Sequence, residues 1–136
     1  MKLRFLAVLA LVATPLLASS TLFTNYEAVR QGLLKGSLKD AQTSAKSLAA
    51  EATKAKNADV AKAADAVAKS ADLDKAREAF GPLSDELIKL RNASQGERPA
   101  VAYCPMVKKS WLQSKSDKIG NPYDAAMKEC GMFKKD

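Results

Sequence analysis

LDKAREAFGPLSDELIKL, residues 73–90, is the stretch whose reading decides the fold. Leu73, Ala76, Phe80, Leu83, Leu87 and Leu90 follow one another at intervals of three or four residues, which puts all of them on one stripe of an α-helix. Polar and charged residues occupy most of the positions between. Gly81 and Pro82 interrupt the run and predict a kink or a break there.

Upstream, the same periodicity recurs. Leu22, Tyr26, Val29 and Leu33 step by four, three and four, and Gly36 then stops the helix. Ser37 opens Ser-Leu-Lys-Asp, an N-cap with an acid three residues on, ahead of a second apolar stripe at Leu38, Ala41, Ala45, Leu48 and Ala52. Asn57 is a third N-cap, before an alanine-rich run in which Val60 and Val67 share a face. No strand-like alternation appears between residues 22 and 90. The expectation is therefore an all-α protein, an antiparallel bundle of about four helices over residues 21–91 joined by short turns.

The first twenty residues, MKLRFLAVLALVATPLLASS, place Lys2 and Arg4 before an apolar run that ends at Pro15 and small residues. This reads as a secretory signal peptide cleaved after Ala18 or Ser20, with a retained N-terminal anchor as the alternative. No second apolar run follows, so no transmembrane span is expected after cleavage. The expected location is the periplasm, and residues 21–136 form one small domain. Loss of Lys2 and Arg4 lowers the formal charge from +7 to +5. The remaining lysines are dispersed among acids, which argues against a nucleic-acid partner.

Residues 92–100, with Gly96 and Pro99 among polar residues, read as a loop. Beyond it the composition changes. The segment 101–133 holds both cysteines, the one tryptophan and every methionine except Met1. It is expected to be loop-rich, with one short helix in Asn-Pro-Tyr-Asp-Ala-Ala-Met-Lys-Glu-Cys-Gly. There Asn121 serves as N-cap, Pro122 as first helical residue and Gly131 as terminator. On such a helix Met127 and Cys130 share a face, with Tyr123 one turn before.

The chain has no histidine, so the lone Ser84 has no imidazole to activate it and no histidine-ligated metal site is available. No catalytic constellation is present, and a non-enzymatic role is expected. Two readings of the sulfur residues stand side by side. Cys104 and Cys130, in an oxidising compartment, pair as a disulfide that stabilises the fold by roughly 3 kcal/mol, with the methionines as filler. Alternatively Cys104, Met106, Met127 and Cys130, with Met132 as a possible addition, converge on a soft ion. Thiolate with thioether selects copper as Cu(I), or silver. A bridge that opens when metal arrives would join the two. Trp111 likewise reads either as the plug that docks the tail on the bundle or as a wall beside a bound ion.

Taken in order, Tyr103-Cys104-Pro105-Met106, Ser110-Trp111-Leu112, Ile119-Gly120-Asn121-Pro122-Tyr123 and Met127 with Cys130-Gly131 resemble the DUF3347 domain. Ala76-Arg77-Glu78-Ala79-Phe80-Gly81-Pro82-Leu83-Ser84 is similar to its helical segment. The resemblance spans roughly Leu22 to Phe133. It implies a helical envelope domain of the kind found in exported bacterial proteins and appended to periplasmic adaptor subunits of heavy-metal efflux systems. It carries Cys104, Met106, Met127 and Cys130 over as site residues, supported by Tyr103, Trp111, Asn121 and Tyr123, with efflux components as partners. Two departures are visible. Asp124-Ala125-Ala126 stands where the family continues with an aromatic and glycine, and Val107 stands where the similar motif of copper pumps has histidine.

Overall fold

A computed structural model describes residues 15–136, with side chains from Ser19 onward. The expected signal peptide thus lies largely outside the described residues, and both expected cleavage points fall within the first turns of α1.

Four helices come first: α1 (Pro15–Lys35), α2 (Leu38–Lys54), α3 (Ala58–Ala68) and α4 (Leu73–Ala93). Each stop and start has a local cause. Gly36 takes φ +71° and Ser37 N–H bonds back to the Gly32 carbonyl at 2.9 Å, which closes α1 in a left-handed cap. Ser37 Oγ accepts from Asp40 N–H at 3.2 Å, and Asn57 Oδ1 from Val60 N–H at 3.1 Å. Asp72, not singled out in the sequence, caps α4 by accepting from Lys75 N–H at 2.8 Å.

The periodic stripes become the core. Leu22, Tyr26, Val29 and Leu33 of α1, Ala41, Ala45, Leu48 and Ala52 of α2, Val60 and Val67 of α3, and Ala76, Phe80, Leu83 and Leu87 of α4 are all buried. Alanine on α2 lets the backbones approach closely. A Cβ on Gly32 would lie 2.6 Å from the backbone nitrogen of Ala41, so glycine is what permits α1 and α2 to touch.

Two expectations about this region and the next need correction. First, of the kink or break expected at Gly81-Pro82 the break does not occur, and α4 runs on as one helix with Pro82 inside it. Pro82 faces solvent while Leu83, Ser84 and Leu87 face the core, so the backbone hydrogen bond that proline removes is lost on the side water can reach. Second, the protein is helix-dominated but not purely α. The tail forms a three-stranded antiparallel sheet of β1 (Ala100–Cys104), β2 (Lys109–Gln113) and β3 (Met132–Phe133), in the order β2-β1-β3. β1 and β2 are a hairpin in which Ala102 opposes Trp111 and Cys104 opposes Lys109. Lys108, at φ +56°, turns the chain in the loop between them. The sheet packs on the bundle mainly through β2 and α4.

The expected short helix at 121–131 is also replaced. Only Ala125–Met127 winds, as a 3-10 turn capped by Asp124. Asn121 does not cap a helix: its Oδ1 accepts from Tyr123 N–H at 2.9 Å, and its own N–H reaches the Lys128 carbonyl at 2.7 Å. Those bonds close a loop, because Tyr123 is drawn into the core beside Phe80 and Trp111.

Candidate functional site

Two polar latches fix the tail to the bundle. In the first, Gln113 is the hub. Its Oε1 accepts from Trp111 Nε1 at 2.9 Å, from Gly120 N–H at 3.0 Å and from Arg30 Nη1 at 3.5 Å, while its Nε2 donates to the Lys118 carbonyl at 3.0 Å. Arg30 is buried. It also donates from Nη1 to the Gly120 carbonyl at 2.7 Å, and from Nε and Nη2 to the Glu27 carboxylate at 2.8 and 2.7 Å. A buried guanidinium is tolerated when its donors are matched in this way. Any side chain at Gly120 would strike Arg30, whose Nη1 would lie 2.8 Å from a Cβ there.

The second latch seals the outer edge of β2. Tyr26 accepts from Leu112 N–H at 3.1 Å, and its hydroxyl shares a 2.7 Å bond with Ser84 Oγ. Tyr123 donates to the Ser110 carbonyl at 2.5 Å. Outward-facing backbone groups of an edge strand are thereby satisfied by two phenols rather than by another strand. Ser84, which has no imidazole partner, has this structural role.

Burial is the main cause that pushes the Tyr26 and Tyr123 hydroxyls far above the usual tyrosine value. The bonds to Ser84 and Leu112 pull Tyr26 back in part, and nearby Tyr26 raises Tyr123 further. The folded state therefore holds these two protons more tightly than the unfolded chain. Their contribution to stability is intact below about pH 10 and falls as pH rises past it, by about 1.4 kcal/mol per pH unit for each tyrosine. Urea unfolding at stepped alkaline pH should show this decline, and Tyr26→Phe should remove about half of the tyrosine share.

The sulfur residues are spread over β1, the β1–β2 loop, the 3-10 turn and the segment from it through β3. Cys104 and Cys130 are joined as a disulfide, with Cα atoms 5.5 Å apart. Cys104 is fully buried in β1 and Cys130 is half-buried. Met106 occupies the β1–β2 loop and is 70% exposed; Met132, on β3, is 59% exposed. Met132 pairs in register with Tyr103, whose ring lies 5.0 Å from the Lys134 ammonium. Met127 ends the 3-10 turn, half-buried, and its carbonyl accepts from Cys130 N–H at 2.9 Å. The fold thus brings the two cysteines together as a bond and sets Met132 opposite Tyr103. Met127 and Cys130 do not share a helical face, because no helix forms there.

Trp111 is fully buried and edge-on to Tyr123, with centroids 6.1 Å apart. Gly131 passes beneath it so closely that a Cβ there would lie 2.6 Å from the indole. This is the plug. The cation–π contacts in the tail belong instead to Tyr103 and Tyr123, the latter with Lys109 Nζ 5.1 Å from its ring. Asn121 is buried, and its Nδ2 has no hydrogen-bond partner.

Arg30, Gln113 and Tyr26 carry the structure of this region and were not singled out in the sequence for these roles. Arg30 had a signal, since it lies four residues beyond Tyr26 on the flank of the α1 stripe. Gln113 had none.

No curated protein and no solved structure matches the chain. The model of the family described as a protein of unknown function, DUF3347, matches residues 22–98. That span takes in α2, α3, α4 and most of α1, and ends before β1, so the sulfur-bearing tail lies beyond it. With more than half of its length matched, the chain belongs to the DUF3347 family.

Proposed function

We propose that this domain binds a soft metal ion as cargo, Cu(I) foremost with silver as its analogue, and serves without catalysis as a periplasmic reservoir, carrier or sensor linked to metal efflux. Cys104 and Cys130 are its thiolate ligands once reduced. Met106 and Met127 supply thioethers, with Met132 as a further candidate from the same sulfur-rich segment. The observation that carries this reading is the surface: Met106 and Met132 are the large apolar side chains left exposed among the described residues, and both belong to the segment that holds the bridge. Packing gives no reason to expose them, whereas a soft ion uses accessible thioethers.

With the bridge closed both thiols are consumed, so uptake follows reduction. The bridge is also the specific observation behind a second reading, a disulfide-stabilised interaction module of the cell envelope that binds no metal.

Competition with a chromophoric Cu(I) chelator separates the two. The reduced protein is expected to bind Cu(I) stoichiometrically and the oxidised protein at least about 100-fold more weakly, a difference of about 2.7 kcal/mol. Met106→Leu with Met127→Leu should weaken binding by about tenfold or more while leaving the melting temperature nearly unchanged, because this swap keeps volume and apolarity. Absence of stoichiometric binding by the reduced protein rejects the metal reading and leaves the interaction module.

A further inference from the structure

The two cysteines of the bridge differ in burial. Cys104 is fully buried within β1, whereas Cys130 is half-buried in the turn that follows Ala125–Met127. A thiolate opens a disulfide by attacking the sulfur it can reach, and the other sulfur leaves. Access alone therefore gives this bridge a direction.

The backbone around the bridge is held independently of it. Upstream of Cys130, Gly120 is fixed to Arg30 and Gln113, Tyr123 to Ser110, and Asn121 to Lys128. Downstream, Lys134 N–H bonds the Val101 carbonyl at 2.8 Å, and Asp136 pairs with Arg91 of α4. Opening the bridge leaves both flanks docked, so the two sulfurs stay close enough to close again.

We infer that Cys130 is a thiol-exchange site, the sulfur at which an external thiolate opens the bridge of a domain that remains folded, with Cys104 as the leaving group. The incoming thiolate forms a bond to Cys130 Sγ as the Cys104–Cys130 bond breaks, and the electron pair departs on Cys104 Sγ. A second external thiolate then attacks the external sulfur of the mixed disulfide. It releases Cys130 as a thiolate and carries away one external disulfide, so two external thiolates are oxidised while the bridge takes up two electrons. This goes beyond metal binding and does not depend on it.

The oxidised full chain is treated with reduced glutathione in the presence of a metal chelator, quenched with acid, labelled with a maleimide and mapped by peptide mass. Glutathione on Cys130 and maleimide on Cys104 is the expected pattern. Glutathione on Cys104, an even distribution, or no adduct until denaturant is added would each overturn the inference. A dithiol oxidoreductase lacking its resolving cysteine replaces glutathione in a parallel arm, and shows whether a protein thiolate reaches the same sulfur as a small one. In the single-cysteine variants, the Cys130 thiol of Cys104→Ser should react with a chromophoric disulfide at least about tenfold faster than the Cys104 thiol of Cys130→Ser, since burial governs access. Equal rates in variants that retain their helical circular dichroism would also overturn it. If either variant fails to fold, the map of the wild-type chain decides.

Discussion

Trp111→Ala should lower stability by about 3–5 kcal/mol, the range for truncating a large buried aromatic side chain. The indole is fully buried, with Ala102 opposite it in register, Tyr123 edge-on, and Gly131 in close approach. Two of its neighbours cannot swing in to fill the void. The glycine has no side chain, and Tyr123 is tethered by its bond to Ser110. Total stabilities of domains this size lie at about 5–15 kcal/mol, so the variant would keep only part of its folding free energy. Its melting temperature should drop by at least about 10 °C. Scanning calorimetry with the disulfide intact measures this directly. Trp111→Phe retains most of the apolar area but leaves Gln113 without one donor, and should cost less than half as much. A loss below about 1 kcal/mol for the alanine variant would mean that the indole is not the plug of the tail.

The helical half of the protein was legible because its instructions are local. Leu73, Ala76, Phe80, Leu83 and Leu87 announce a helix by spacing alone, and Ser37 and Asn57 mark where helices begin through bonds made within three residues. The tail obeys longer-range rules. Ala-Val-Ala-Tyr-Cys and Lys-Ser-Trp-Leu-Gln are strands of only five residues, each with faces buried on both sides in part, so neither alternates cleanly. What makes β2 a strand is β1 on one side and two phenols, from Tyr26 and Tyr123, on the other. Neither Tyr26 nor the hairpin register is readable from residues 109–113. The cap expected at Asn121 falls instead to Asp124, because burial of Tyr123 turned Asn121 toward a loop. Tertiary burial outweighed a capping preference of about 1 kcal/mol. The pairing of Cys104 with Cys130 was among the sequence readings. The exposure of Met106 and Met132 was not, because it follows from their places on a turn and an edge strand that the sequence did not announce.

Gln113 offers the sharper test of how the tail is held. Gln113→Met preserves side-chain length and apolar volume but leaves Trp111 Nε1, Gly120 N–H and the Lys118 carbonyl without the partners they now have. Each buried polar group left unmatched costs about 1–3 kcal/mol. The costs do not simply add, because the exposed residues 114–118 let Lys118 relax toward water. A net loss of about 3 kcal/mol is expected. Arg30 limits the damage, since its Nη1 keeps the Gly120 carbonyl and its Nε and Nη2 keep Glu27. Gln113→Glu is the informative companion. Its carboxylate still accepts from Trp111 and Gly120 and gives Arg30 a counter-charge; the donation to Lys118 is lost and its carbonyl, now facing an acceptor, must turn toward water, so the cost should be about 1–2 kcal/mol. Urea unfolding of both variants with the bridge closed gives the comparison, and hydrogen exchange at the Gly120 amide locates the effect. If Met costs no more than Glu, the acceptor oxygen of Gln113 does not hold the tail. The attachment of residues 114–131 would then rest on the Arg30 bond to the Gly120 carbonyl, the Trp111 plug, Tyr123 and the disulfide.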